Sequence, residues 1–247
     1  MSPRPVQRAA HADLRKAIKA SAWKGIAENG ASSLSLRAIA RDLGITAPAI
    51  YNYFADRDAL VTELIIEAYT SFGDWQIAAR DAAASKSLPK KLEVIGMAYR
   101  AWALAFPERY QLIFGAPISG YRTDHEAVRP AGSRSLTALV GTIEEIRAAG
   151  RLVAEGFPVV QESHAQDFAA WTQRSGFHPQ SLAVGILIWA RVHGLVSLEI
   201  SGNLIPFGPA GDGLYRYELR SLTRQFLKSK PQLATRKSAP GAKGQAS

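Results

Sequence analysis

A chain of 247 residues that is 47% hydrophobic and 21% charged, with no Cys, can bury the core of one large or two modest domains, and it excludes disulfide staples and thiolate metal sites. The net charge of +9 is uneven: residues 1 to 60 hold nine Lys and Arg against five Asp and Glu, residues 228 to 247 hold five Lys and Arg and no acid, and residues 61 to 227 hold sixteen of each sign. A polyanion would meet the N-terminal region, helped by the tail, although a basic surface that serves solubility alone explains the charge equally well.

The first residues, MSPRPVQRAAHADLRKAIKA, are basic but lack the apolar stretch of a secretory signal. Residues 1–8 read as a disordered arm. From residue 9 to 29, Leu14, Ile18, Ala22 and Ile26 recur at spacing four and Asn29-Gly30 is a stop, which predicts an amphipathic helix. Ser35 then precedes Leu36, Ile39, Ala40 and Leu43, and Gly44 closes this second, very short helix. Thr46 can cap a third, with Pro48 in its first turn, where a missing amide hydrogen costs nothing; this one runs to about Tyr53. Asp56 caps a fourth that carries Leu60, Leu64 and Ile65 to about residue 80. Two short helices joined at Gly44 and clamped between longer ones make a helix-turn-helix, whose second short helix would be the one to enter a major groove.

Ile50 and Phe54, four apart, face inward toward Ile39 and Leu43, so Tyr51, Asn52 and Tyr53 are pushed outward, where hydroxyls and an amide can donate to phosphate oxygens. The alternative is that Tyr51 is a core aromatic with only its hydroxyl showing.

The run LSLRAIARDLGITAPAIYNYFADRDALVTELI resembles the DNA-binding segment of TetR-type transcriptional regulators in its I-A-x-x-L-G, its Tyr-x-x-Phe exit and the basic residue three positions after the Phe. The resemblance implies an all-α protein: a helix-turn-helix domain over residues 9–58, a larger helical ligand-binding and dimerisation domain over 59–228, and a disordered basic tail over 229–247. It makes Arg37 a base contact, with a phosphate clamp as the alternative, and gives Ser35, Thr46 and Arg57 phosphate contacts. One departure is that Ala47, Pro48 and Ala49 offer no side-chain hydrogen bond to a base edge, so readout falls to Arg37, Thr46 and Tyr53, or to thymine methyls and DNA shape.

A helix from about Leu88 to Phe106 lines up Leu92, Ile95, Tyr99, Trp102 and Phe106, with Tyr110, Ile113 and Phe114 close behind. With Phe168, Trp171 and Trp189 these aromatics could line one cavity, although any one of them alone is more simply core. The expected occupant is a small apolar or aromatic effector, anchored by His193 or Arg100. Residues 115 to 132 and 202 to 213, rich in Gly and Pro, read as loops. The longest apolar run, Leu182 to Ala190, is too short to cross a bilayer, so a soluble cytoplasmic protein without a membrane partner is expected. SLAVGILIWARVHGLVSLEI is apolar nearly all round, which suits a helix covered on one face by a second subunit, and Trp189-x-x-x-His193-Gly194 resembles a subgroup of these regulators. LYRYELRSLTRQFL repeats Tyr215, Leu219, Leu222 and Phe226 as a second stripe, so a homodimer interface through Leu187, Leu195, Leu198, Leu219, Leu222 and Phe226 follows.

The five histidines show no metal-ligand spacing, there is no G-x-S-x-G, and Glu144-Glu145 reads as a solvated helix face, so neither catalytic residues, metal nor cofactor is expected. The function expected is a ligand-responsive regulator, most simply a repressor, that binds a palindromic DNA operator. Rival readings are a helical DNA-binding or adaptor protein without an effector, and a helical enzyme.

Overall fold

The computed structural model describes residues 5–153, 176–204 and 211–228, with side chains described from residue 13 onward. The expected all-α class holds: among the described residues there is no strand, and one isolated bridge joins Leu152 to Leu227.

Helix α1 (Pro5–Asn29) starts four residues before the expected position 9. Its spacing-four stripe is the buried one, with Ile18 and Ala22 fully enclosed. A short 3-10 turn (Ala31–Ser33) leads to α2 (Leu36–Asp42), where the Ser35 hydroxyl accepts the Ala38 amide at 3.4 Å. Gly44 turns the chain with φ of 64°, a conformation that favours glycine, and α3 (Ala47–Tyr51) follows, ending two residues before its expected limit. Thr46 holds the N-cap position by backbone alone; its side chain makes no cap bond. Asp56 accepts the Ala59 amide at 2.7 Å and starts α4 (Arg57–Ala82).

The rest is α5 (Leu88–Ala105), α6 (Pro107–Phe114), α7 (His125–Ala148), α8 (Pro179–Ile200) and α9 (Gly211–Phe226). Two of these revise the expected loops. Helix α7 begins inside the expected 115–132 loop, because Asp124 accepts the Ala127 amide at 3.0 Å and Val128, Ala131, Ser135, Ala138 and Leu139 make a continuous buried stripe. Pro130 sits exposed in its second turn, where packing of that stripe outweighs the one hydrogen bond a proline removes. Helix α9 likewise takes in Gly211, Asp212 and Gly213, while residues 205–210 of the expected turn lie outside the described residues. Helix α8, with 22 residues and a mean hydropathy of 1.6, is long and apolar enough to cross a bilayer, unlike the shorter run expected. It packs against α5, α7 and α9 instead, burying Leu182, Val184, Ile188, Val192 and Val196.

Two cores result. The first gathers α1 to α3 and the first half of α4, down to Ala68, so it extends past residue 58; it also takes Leu112 from α6, Ile118, and Val128 from α7. The second joins the rest of α4 to α5 through α9 around Phe72, Tyr99, Trp102, Ile143, Tyr215 and Phe226. Helices α5 and α9 cross closely at Gly96, where an added Cβ would lie 2.5 Å from Leu219.

Candidate nucleic-acid interface and ligand cavity

The short α3 divides cleanly into two faces. Ile50 is fully buried and Phe54 nearly so, whereas Thr46, Pro48 and Asn52 are exposed and Tyr51 is 51% exposed. Tyr51 is therefore an outward-facing aromatic, with a hydroxyl free to meet a phosphate. Tyr53 is different: it is half-buried against the first core, and its carbonyl receives Arg15 Nη1 at 2.9 Å. Ala47 and Ala49 are half-buried between the two faces.

On α2, Arg37 is exposed and makes no ion pair or hydrogen bond within the described residues, and the same holds for Arg41, four positions on. Sequence reasoning passed over Arg41; the i, i+4 spacing from Arg37 was the available signal. The neighbouring acid does not cancel these cations, since Asp42 takes a 2.6 Å hydrogen bond from Ser21 and lies 3.5 Å from Lys24, which together hold its carboxyl below the usual range. Arg57 departs from expectation. Its Nε donates to the Leu34 carbonyl at 3.0 Å and its Nη2 to that of Ala31 at 3.5 Å, so the guanidinium fastens the 3-10 turn to α4 and is not presented to a phosphate. The Ala31 carbonyl also accepts the Leu34 amide at 3.3 Å, so the guanidinium reinforces a turn that the backbone already closes.

Of the residues expected to hold an effector, Trp171 lies outside the described residues, as does Phe168. The others divide. Tyr99 and Trp189 line a narrow, partly open cavity of about 20 Å³ together with Phe72, Gln76, Leu139 and Leu219, between α4, α5, α7, α8 and α9. That volume has room for about one water. Trp102, Phe106, Tyr110, Phe114 and His193 lie beside it as packed aromatic core. Trp102 is fully buried and donates Nε1 to Ser71 Oγ at 3.0 Å, and Phe114 touches Phe72, Tyr110, Trp189 and His193 at centroid distances of 5.1 to 5.9 Å.

His193 Nδ1 lies 2.9 Å from the Tyr99 hydroxyl and 3.1 Å from that of Tyr110. Burial pushes the imidazole below its ordinary pKa and both phenols above theirs. The cluster is thus a neutral hydrogen-bonded group at ordinary pH. Arg100 is no anchor: its Nε and Nη2 grip the Glu199 carboxylate at 2.7 and 2.5 Å and its Nη1 reaches Asp212 at 3.0 Å, tying α5 to α8 and α9. A bidentate pair with two carboxylates leaves it little to offer a ligand.

Helix α6 joins the two regions. Arg109 lies 4.9 Å from the Trp23 ring of α1 and 4.9 Å from Phe106, and 3.6 Å from Glu67 of α4. Burial raises the Glu67 carboxyl, yet Lys19 at 2.7 Å, the Trp23 indole N–H at 3.1 Å and Arg109 together hold it below the usual range. Glu144 is also no solvated face: Ser181 Oγ donates to it at 2.6 Å, and with Arg147 it secures the start of α8.

The expected interface residues need a similar correction. Leu219, Leu222 and Phe226 are 6%, 1% and 1% exposed, inside the chain's own second core, and Leu195 packs against that core. The stripe on α9 is covered by α5 and α8 of the same chain and so is not available to a second subunit. Leu187 and Leu198 of α8 are exposed as expected, and Leu214 and Tyr217 of α9 join them, Tyr217 at 65%.

Residues 18–64 match the family described as bacterial regulatory proteins, tetR family, and residues 92–222 match a tetracyclin repressor-like C-terminal domain. The chain is 34% identical over 180 residues to the HTH-type transcriptional regulator Rv1816 of Mycobacterium tuberculosis, covering 71% of this chain and 76% of that one, and equally to Mb1846 of Mycobacterium bovis. A solved structure of the regulatory protein SCO4313 is 36% identical and superposes with a TM-score of 0.72 over 90% of this chain and 98% of that one. A Rhodococcus structure at 22% identity, TM-score 0.66, covering 87% of this chain and 95% of that one, shares the fold.

Proposed function

The chain belongs to the TetR family of bacterial transcriptional regulators, and from that premise we propose that it is a cytoplasmic repressor which grips a palindromic or near-palindromic operator as a homodimer and lets go when a small apolar or aromatic molecule enters its second core. The observation that carries the reading is the outward face of α3, with Tyr51 half-exposed beside the unpartnered Arg37 and Arg41 of α2. Residues 9–58 act as the reading head, residues 59–228 dimerise and take the effector, and the basic tail beyond 228 adds affinity for any DNA.

Within this reading Arg37 takes a base edge, Tyr51 and Asn52 take phosphate, and the hydroxyls of Ser35 and Thr46 face the backbone. Arg41 adds a second cation. The subunit interface runs over Leu187 and Leu198 of α8 and Leu214 and Tyr217 of α9, two helices from each subunit. Two linked reading heads on one side of the duplex set half-sites about one helical turn apart or somewhat more.

The effector would widen the cavity between Phe72, Tyr99, Trp189 and Leu219, whose walls are mostly apolar with Gln76, Glu93 and Ser135 as the polar members of the lining. Because α4 runs from the reading head along that cavity, a ligand that displaces it alters the separation of the two recognition helices. Release follows if the ligand prefers the non-DNA form, with coupling of about 1 to 3 kcal/mol. Selection of bound DNA from a random pool, with sedimentation in parallel, tests the first half: palindromes and a dimer are expected, and unselective binding by a monomer would overturn it. Titration with apolar ligands tests the second. Tryptophan quenching should track loss of operator affinity, and quenching without that loss would remove the switch.

A further inference from the structure

We propose that Arg15 of α1 is a positioning residue for DNA reading: it fixes the exit of α3, and through that exit the Tyr51 and Asn52 that this function brings to phosphate; the inference rests on the DNA-reading function above. The Arg15 side chain makes three contacts at once. Its Nη1 donates to the Tyr53 carbonyl at 2.9 Å, its Nη2 donates to Glu63 Oε1 on α4, and its guanidinium carbon stands 4.5 Å from the centre of the Phe54 ring. One planar fork therefore joins α1, α4 and the two residues that directly follow Asn52.

Helix α3 needs such a hold. Its five residues are too few to make a stable helix alone, and Thr46 caps its start by backbone only. At its end the amides of Tyr53 and Phe54 both turn back to the Ile50 carbonyl, at 2.8 and 3.0 Å. Those bonds are internal to the turn. Burial of Phe54 and the Arg15 fork are what tie the turn to α1 and α4, and the fork does so at a carbonyl just past the helix end, where intrahelical donors run out.

The next turn of the same helix pair supplies a contrast. Lys19 of α1 pairs with Glu67 of α4 at 2.7 Å, four residues on from Arg15 along one helix and four on from Glu63 along the other. That pair also joins α1 to α4, but among the described residues Lys19 makes no hydrogen bond or ion pair to α3. Two ion pairs thus brace the same helices, and one of them also grips the reading element. Random DNA tolerates a displaced phosphate contact, because the protein can settle in any register. An operator does not, because a base contact from Arg37 needs the phosphate contacts in fixed places. Loss of the Arg15 fork should therefore weaken operator binding more than binding to random DNA.

The test uses the full chain, the operator recovered by selection and a random duplex of equal length. In Arg15→Met the ratio of operator to random-DNA affinity should fall about tenfold, the scale of one charge-assisted hydrogen bond. The slope of log affinity against log salt on random DNA should not change. Lys19→Met should lower the thermal midpoint too, yet leave the ratio as it is. Arg15→Lys keeps the charge without the fork, so its ratio should fall by less than that of Arg15→Met. A ratio unchanged in Arg15→Met, or lowered equally in Lys19→Met, makes Arg15 part of the general framework and overturns the inference. A slope reduced by about one in Arg15→Met overturns it as well, since Arg15 would then touch phosphate itself. Should circular dichroism show Arg15→Met unfolded, Arg15→Lys decides, and a ratio equal to that of the unaltered protein overturns the inference. Selection that returns no preferred sequence overturns the DNA-reading function and the inference with it.

Discussion

The outward face of α3 carries Tyr51 and the aromatic cluster around His193 carries Tyr99 and Tyr110, but their hydroxyls stand in opposite states. On α3 and its neighbour α2, Tyr51, Arg37 and Arg41 stand in solvent without partners among the described residues, the state that the proposed contact with a rigid polyanion requires. Around His193, the hydroxyls of Tyr99 and Tyr110 already have a partner, the rings touch, and the adjoining cavity holds about 20 Å³. A surface that meets DNA can be displayed in advance because water satisfies it meanwhile. A buried site has no water to lend, so it closes on itself, and a ligand must displace contacts that are already made.

The largest effect should come from confusing the two kinds of surface on α9. Leu222→Ala empties part of the second core and should lower unfolding stability by about 2 to 5 kcal/mol. Chemical denaturation should show this loss equally at every protein concentration. A shift that grew on dilution would return Leu222 to the subunit interface. Leu187→Asp combined with Tyr217→Ser, both on exposed positions, should do the reverse: helicity is retained, while sedimentation moves toward monomer and operator affinity falls with it.

The two arginine types sharpen the contrast within the reading head. Arg41→Ala should reduce the slope of log affinity against log salt by about one unit, as for one lost phosphate contact. Arg57→Ala should leave that slope unchanged and lower the thermal midpoint, because its guanidinium holds the 31–33 turn. The smallest effect concerns Glu144, whose hydrogen bonds from Arg147 and Ser181 hold its carboxyl at about 2 against an ordinary 4.5. A depressed carboxyl stabilises the fold above its unfolded value, and that contribution is lost as pH falls from about 4.5 toward about 2. Glu144→Gln should flatten the acid limb of a stability profile over that window.

Much of this was legible in the sequence where one physical signal decided the matter. Ser35, Asp56, Gly44 and the four-residue stripe of α1 placed the first four helices because caps, a left-handed turn and periodicity are local. The same local logic misled at Pro130, where burial of Val128, Ala131 and Ser135 against α4 overrode a helix breaker, and a distant partner leaves no mark nearby. The stripe on α9 was visible, but which neighbour would cover it was not: an apolar face looks alike whether it meets its own chain or another. Arg57 and Arg100 illustrate the same limit for charge. Their type suited phosphate or ligand, and only the position of carbonyls or carboxylates over twenty residues away shows that both are already engaged.

Helix α6 has eight residues, yet Leu112 belongs to the first core and Tyr110 to the second, and Arg109 is packed between Trp23 and Phe106. Two hydrophobic cores that share so short an element are coupled, since loosening either one strips contacts from a helix the other needs. Over the described residues one cooperative unfolding transition is therefore expected despite the two cores, and whatever opens one of them works against the stability of both.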